Sequence, residues 1–439
     1  MCDDPHMRSH ARSATAILGS GLLTAALLSA TATAAAATIG KPAAAANLAG
    51  WRSTEVRSPA GSSYANLAGI ACTAKRTCVA GGSYQSPTAK GGGPMIVNES
   101  SGRWTPAVTI RLPAGAAQPN AAATIAGLAC PSRSGCAAVG NYSLPTNALH
   151  GLITTGHARK WSRARTPILP AGSTASGDSF LTGVSCTRPA SCVAAGAFTR
   201  GPSFEAMAEA ESGGHWRRAV AIRPPANASS NPSAHLSAIS CPKAGDCVAV
   251  GGYTTKSLDV EVMVAVEVRG TWGRALEIRM PKDAAPEPLA ELYAVSCPSE
   301  GRCIAVGSYS TTADRALPLV VEESGKHWQR AIGITGLPPG AEYTNQGATL
   351  NGVSCRDSSC VAVGSYVKAP AANVAMAISE SRGRWSRAVK VSDPPHAATG
   401  PAQNATLFGV ACSGGTDCTA VGQYVKSALV NEAMAATRS

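Results

Sequence analysis

The chain has 439 residues and a formal net charge of +12, with 15% charged and only 5% aromatic residues. So little charge beside 45 glycines and 29 prolines argues against long surface helices and favours many short strands joined by turns. The basic residues are spread without a long run and no reader motif accompanies them, so no nucleic-acid partner is expected.

The N-terminus reads as a targeting segment. His6, Arg8, His10 and Arg12 precede an apolar run from Ala14 to Ala30, and small residues from Thr31 to Ala37 offer A-x-A cleavage sites. Residues 1–37 are therefore expected to be a signal peptide, cut somewhere within 30–38. A flexible segment, 38–50, and a domain spanning 51–439 would follow. The apolar run is short for a membrane anchor, and no later segment is apolar enough to span a bilayer. A secreted or extracellular location is expected, with association to the cell envelope open. The Ala/Gly/Arg-rich leader has a bacterial character.

Of 15 cysteines, Cys2 leaves with the leader. The other fourteen form close pairs: Cys72/Cys78, Cys130/Cys136, Cys186/Cys192, Cys241/Cys247, Cys297/Cys303, Cys355/Cys360 and Cys412/Cys418. An even, paired set in an exported chain reads as disulfides. Zinc is the alternative, but no histidine repeats beside the pairs and the usual ligand spacing is tighter. No metal or cofactor is expected.

Successive first cysteines lie 58, 56, 55, 56, 58 and 57 residues apart, and the tryptophans keep the same beat at Trp51, Trp104, Trp161, Trp216, Trp272, Trp328 and Trp385. Such a period marks one supersecondary unit copied in tandem. The fifth repeat shows four strand signals: "LYAVSC" from Leu292, "CIAVGSY" from Cys303, "ALPLVVEE" from Ala316 and "HWQRAIGI" from His327. Four antiparallel strands per repeat describe a propeller blade. The last repeat lacks its tryptophan strand, whereas "WRSTEV" from Trp51 precedes the first repeat as an orphan. Pairing the two removes the exposed edges of an open array. The expected fold is all-β: a seven-bladed β-propeller of four-stranded antiparallel blades, closed by the N-terminal strand, with one disulfide per blade. An open β-solenoid is the alternative.

Alternation along "CIAVGSY" puts Cys303, Ala305 and Gly307 on one face and Ile304 and Val306 on the other. The small residues leave room for a tryptophan of the same or the adjoining blade. Tyr84, Tyr142, Tyr253, Tyr309, Tyr366 and Tyr424 end these strands. Phe198 stands at the matching place, so packing without a need for the hydroxyl is expected of them.

"SESRGRW" from Ser379, "NESSGRW" from Asn98 and "EESGKHW" from Glu322 resemble the Asp-box turns of sialidase-like propellers, although the aspartate is absent and the tryptophan comes early. In that family the box is structural, so the resemblance implies a fold rather than an activity. It would place the short disulfide turns on one face and the longer segments near Gln118, Thr254 and Leu337 on the other, where binding is expected. Sialidase-like chemistry would need an arginine cluster, a Tyr/Glu pair and an acid. Glu205, Tyr343, Asp178, Asp259 and Asp283 assemble no such set in sequence. Zincin, nucleophile-elbow, P-loop and EF-hand patterns are missing. His157, His215 and His327 read as turn residues.

No catalytic residue is therefore assigned. The expected function is non-catalytic binding of an unknown protein or glycan ligand through the loop-rich face, by a monomer. A glycosidase or lyase of sialidase-like layout is the alternative.

Overall fold

The computed structural model describes residues 50–86, 92–117, 122–344, 347–369, 372–415, 417–426 and 430–438. The expected leader and all but the last residue of the 38–50 segment lie outside these. So does the start of the long segment near Gln118.

Each repeat folds as its apolar runs dictate. In repeat 5 the strands cover Glu291–Ser299, Arg302–Ser310 and Ala316–Ser324. Two short pieces, His327–Trp328 and Ile332–Gly333, then pair with the third strand, and all neighbours are antiparallel. The fourth strand is thus broken after its tryptophan. The break has a cause: the Ala331 N–H turns away to donate to the Arg279 carbonyl of repeat 4, at 2.9 Å. Ala164, Ala219, Ala275 and Ala388 make the same bond to the repeat before their own, stitching the rim.

One glycine explains much of the repeated "CxAxGxY". Every first strand carries a register shift after its leucine, or Ile125 in repeat 2; in repeat 5 it falls between Leu292 and Ala294. The bulge presses the Glu291 carbonyl onto Gly307, where a Cβ would fall inside van der Waals contact. The same clash awaits a Cβ at Gly82, Gly140, Gly196, Gly251, Gly364 and Gly422. A bulge therefore demands this residue opposite it.

The first strands lie innermost. Tyr64–Ala74, Ala123–Ser132, Ser179–Arg188, His235–Lys243, Glu291–Ser299, Ala348–Arg356 and Ala405–Cys412 touch in that order, and the last touches the first. Two strands far apart in sequence meet at the rim: Arg52–Glu55 pairs antiparallel with Val430–Arg438, Glu55 opposite Met434. The molecule is a β-propeller, a closed ring of small antiparallel sheets.

Hydrogen bonding divides the ring differently from the expectation of seven separate sheets. Among the described residues there are six sheets, of which five stand as separate blades of four or five strands. The sixth has nine strands and includes both repeat 7 and repeat 1. The reason is one parallel bridge, Tyr64 to Asn431, which fuses them.

The core lies between neighbouring repeats. Cys303, Ala305 and Tyr309 pack toward repeat 4 with Trp328, while Ile304 and Val306 pack toward repeat 6 with Trp385. Trp104, Trp161, Trp216 and Trp272 fill the corresponding seams of their own repeats, and Trp51 that between repeats 6 and 7. Trp51 is buried and the other six are half-buried.

Candidate functional site: the two ends of the axial channel

Seven disulfides among the described residues join Cys72–Cys78, Cys130–Cys136, Cys186–Cys192, Cys241–Cys247, Cys297–Cys303, Cys355–Cys360 and Cys412–Cys418. Each clamps the hairpin between first and second strands. The first cysteines of all seven ring one end of the channel, where a cavity of about 670 Å³ opens, bordered also by Arg133, Arg356 and Asp357. The third-to-fourth turns share this face, since Gly102, Gly214 and Gly270 donate backbone bonds to Arg76, Ala190 and Gly245 of the disulfide turns.

The backbone at this mouth is poised to donate. Cα atoms of the paired cysteines are 4.0–4.2 Å apart. That spacing belongs to non-hydrogen-bonded cross-strand pairs, so the N–H of each first cysteine points away from its hairpin. In four repeats it finds a serine of the preceding repeat. The N–H groups of Cys241, Cys297, Cys355 and Cys412 donate to Oγ of Ser185, Ser240, Ser296 and Ser354, each at 3.0 Å. At the three remaining junctions the serine is replaced by Ala71, Ala129 or Ala411, all lining the cavity. The belt of hydroxyls therefore stops, and Cys130, Cys186 and Cys72 in turn have no side-chain acceptor there. The signal was present in sequence as V-S-C or I-S-C against I-A-C, L-A-C and V-A-C, but its meaning needs the strand geometry.

The opposite end holds a different chemistry. Glu291 accepts from Ser237 Oγ at 2.9 Å and lies 3.1 Å from His235 Nε2. Burial opposes the charge on His235, but the Glu291 carboxylate outweighs it and the imidazole pKa is raised. Tyr293, two residues beyond Glu291, is 39% exposed on its inner strand, and burial of its hydroxyl raises its pKa. None of these residues stood out in sequence.

The carboxylates and tyrosine considered from sequence are not brought together. Glu205 pairs with Arg200 at 3.0 Å, and Tyr343 donates to the Thr335 carbonyl at 2.8 Å. Asp178 accepts from the Leu149 N–H, Asp259 from Ser257 in its own loop, and Asp283 from the Tyr309 hydroxyl at 3.0 Å. That last bond corrects the expectation that the buried tyrosines need no partner. The single Tyr253 hydroxyl proton likewise has two acceptors in reach, Asn227 Oδ1 at 2.9 Å and Glu261 Oε2 at 3.0 Å, and Tyr424 donates to Glu55. Among the described residues no group of three or more metal-ligating side chains gathers, and no helix is long and apolar enough to cross a membrane.

A set of buried glutamates also escaped sequence reading. Glu99, Glu211, Glu267, Glu323 and Glu380 sit opposite the tryptophan of their own repeat, and burial raises the pKa of each. In "SESRGRW" the Glu380 carboxylate caps the turn by accepting the Gly383 N–H.

No family model matches the chain, and no curated protein does. Similar solved structures include a Hadza microbial sialidase, with a TM-score of 0.45, 9% identity, and 72% of this chain and 65% of that one covered. A Trypanosoma rangeli sialidase gives 0.43 and 12%, covering 71% and 52%. A polysaccharide (ulvan) lyase bound to a glucuronate–rhamnose sulfate repeat gives 0.48 and 10%, covering 85% and 94%. The chain spans less than two thirds of either sialidase.

Proposed function

We propose that this chain is an exported, seven-bladed propeller that binds an acceptor-rich glycan, without transforming it, at the disulfide mouth of its channel. The blade count counts the inner strands, which succeed one another around the ring, and treats the single Tyr64–Asn431 bridge as a contact between two blades. Export accords with the disulfides, which persist in oxidising compartments. The leader-like N-terminus supports it too.

The interrupted serine belt carries the binding reading. Amide donors beside the Arg133 guanidinium, at a cavity of about 670 Å³, suit the oxygens of an acidic saccharide. This moves the expected site from the loop-rich face to the other end of the channel. The triple substitution Ala71→Ser, Ala129→Ser, Ala411→Ser would complete the belt with residues the other repeats already tolerate. Wild type is expected to retain uronic-acid oligosaccharides on a glycan array and the triple variant to lose them. Equal retention by both proteins, or none by wild type, refutes the reading.

A second reading, a glycosidase or lyase, draws on Glu291 beside His235, with Tyr293 two residues along the same strand. Release of new reducing ends or unsaturated uronate from the retained glycans, abolished in Glu291→Gln, would favour it.

A further inference from the structure

The seam between repeats 2 and 3 breaks the pattern of its siblings at two facing positions. Four residues after the tryptophan, the fourth strands carry Val108, Val220, Leu276, Ile332 and Val389, whereas repeat 2 carries Arg165 and the strand from Trp51 carries Glu55. On the third strand, the place opposite the second-strand alanine holds Val97, Thr154, Ala265, Val321, Ile378 and Ala436, but in repeat 3 it holds Glu209. Arg165 and Glu209 pair at 2.7 Å, with Glu209 fully buried. The guanidinium also lies 5.3 Å over the ring of Trp216. A pair whose carboxylate is fully buried, standing where most repeats use apolar residues, is weak evidence for stability. Departures of this kind from an otherwise consistent pattern concentrate at functional sites.

The seam is also incompletely filled. One cavity of about 320 Å³ is bordered by Thr154, Ser162, Arg163, Arg165, Glu211 and Trp216. A second, of about 270 Å³, shares Thr155, Glu211 and Gly214 with it. Glu211 is only 7% exposed, and its Oε2, like that of Glu99, Glu267 and Glu323 in other repeats, has no hydrogen-bond partner; unlike those, it borders both of these cavities. A buried carboxyl oxygen lining a cavity without a partner calls for a donor from outside the chain.

We propose that this seam is a second saccharide site, taking one neutral pyranose whose hydroxyls bond Glu211 and the arginines while its carbon face meets Trp216. A neutral polyol suits the wall, which offers a carboxylate, guanidinium groups, serine and threonine hydroxyls and an indole within one small cleft. An ammonium ligand would use only the carboxylate and would face two arginines. The volume is at the small end of ligand pockets. The site is independent of the channel mouth and stands or falls separately from it.

The test uses protein labelled with ¹⁵N at tryptophan, titrated with glucose, galactose, mannose, fucose and N-acetylglucosamine in turn. The Trp216 indole resonance is expected to shift saturably with at least one sugar while the other six stay in place. Glu211→Gln should weaken that sugar by about tenfold, the loss of one charged hydrogen bond. Should that variant fail to fold, Ser162→Ala, at the wall of the cleft, should weaken it as well. The proposal is overturned if no sugar moves Trp216, if all seven indoles move alike, or if the folded variant binds as wild type does.

Discussion

The seam between repeats 2 and 3 and that between repeats 5 and 6 both hold an apolar cluster, but only the first adds a charged pair to it. The second packs Ile304, Val306, Val320, Leu350, Met376 and Ile378 into a continuous apolar cluster. The first packs Val139, Ile153, Leu181 and Met207 in its core, buries Glu209 against a half-exposed Arg165, and keeps open space beside them. A tandem repeat can therefore delegate stability to most of its seams and release one for recognition. Losing some packing at one junction is tolerable when its siblings remain well filled.

Substitutions can break that contrast, beginning where the effect is largest. Leu350→Ala in the apolar seam removes a fully buried side chain and should cost about 4 kcal/mol in chemical denaturation. A loss below 1 kcal/mol would mean the seam is no tighter than its polar sibling. Arg165→Met strands Glu209 and should cost about 3 kcal/mol, since the carboxyl can take up a proton. Restoring the sibling pattern with Arg165→Val and Glu209→Val together should be neutral or stabilising. If the double variant is as unstable as the single, the pair supports the fold rather than a site.

Tyr309→Phe should cost about 1 kcal/mol because it removes a bond to Asp283, whereas Tyr366→Phe should be silent. The smallest effect is a pH dependence. Glu211 and Glu380 hold the same position in the two seams, and burial raises both above the ordinary value of 4.5. A carboxyl with a raised folded pKa stabilises most below its unfolded value, and that contribution is lost as pH rises through the folded value. Glutamine at either position should flatten the fall in melting temperature above pH 4.5. An unchanged pH profile in both variants would show that neither carboxyl titrates in the fold.

Much of this architecture is legible in the chain because the repeat averages out local ambiguity. Strand ends in repeat 5 fall within two residues of the apolar runs that announce them, except that the fourth strand is broken. That break comes from Ala331 bonding another repeat, a tertiary choice no local pattern encodes. The axial residues were illegible for a related reason. His235 and Glu291 are 56 residues apart and meet only because the ring brings neighbouring inner strands together. The broken serine belt was visible as letters, yet it acquires chemical sense only from the direction of the cysteine N–H groups.

The pairing of Arg52–Glu55 with Val430–Arg438 orders events in time. The first of these strands is made well before the second, so during synthesis it remains an unsatisfied edge while every repeat between them is made. Ring closure must await Val430–Arg438, and contacts of such sequence separation form slowly. The disulfides follow another schedule, because each spans only five or six residues and can form as soon as its own hairpin emerges. Oxidation can therefore proceed repeat by repeat without committing the ring, and a chain stopped short would be fully bridged yet unable to shut.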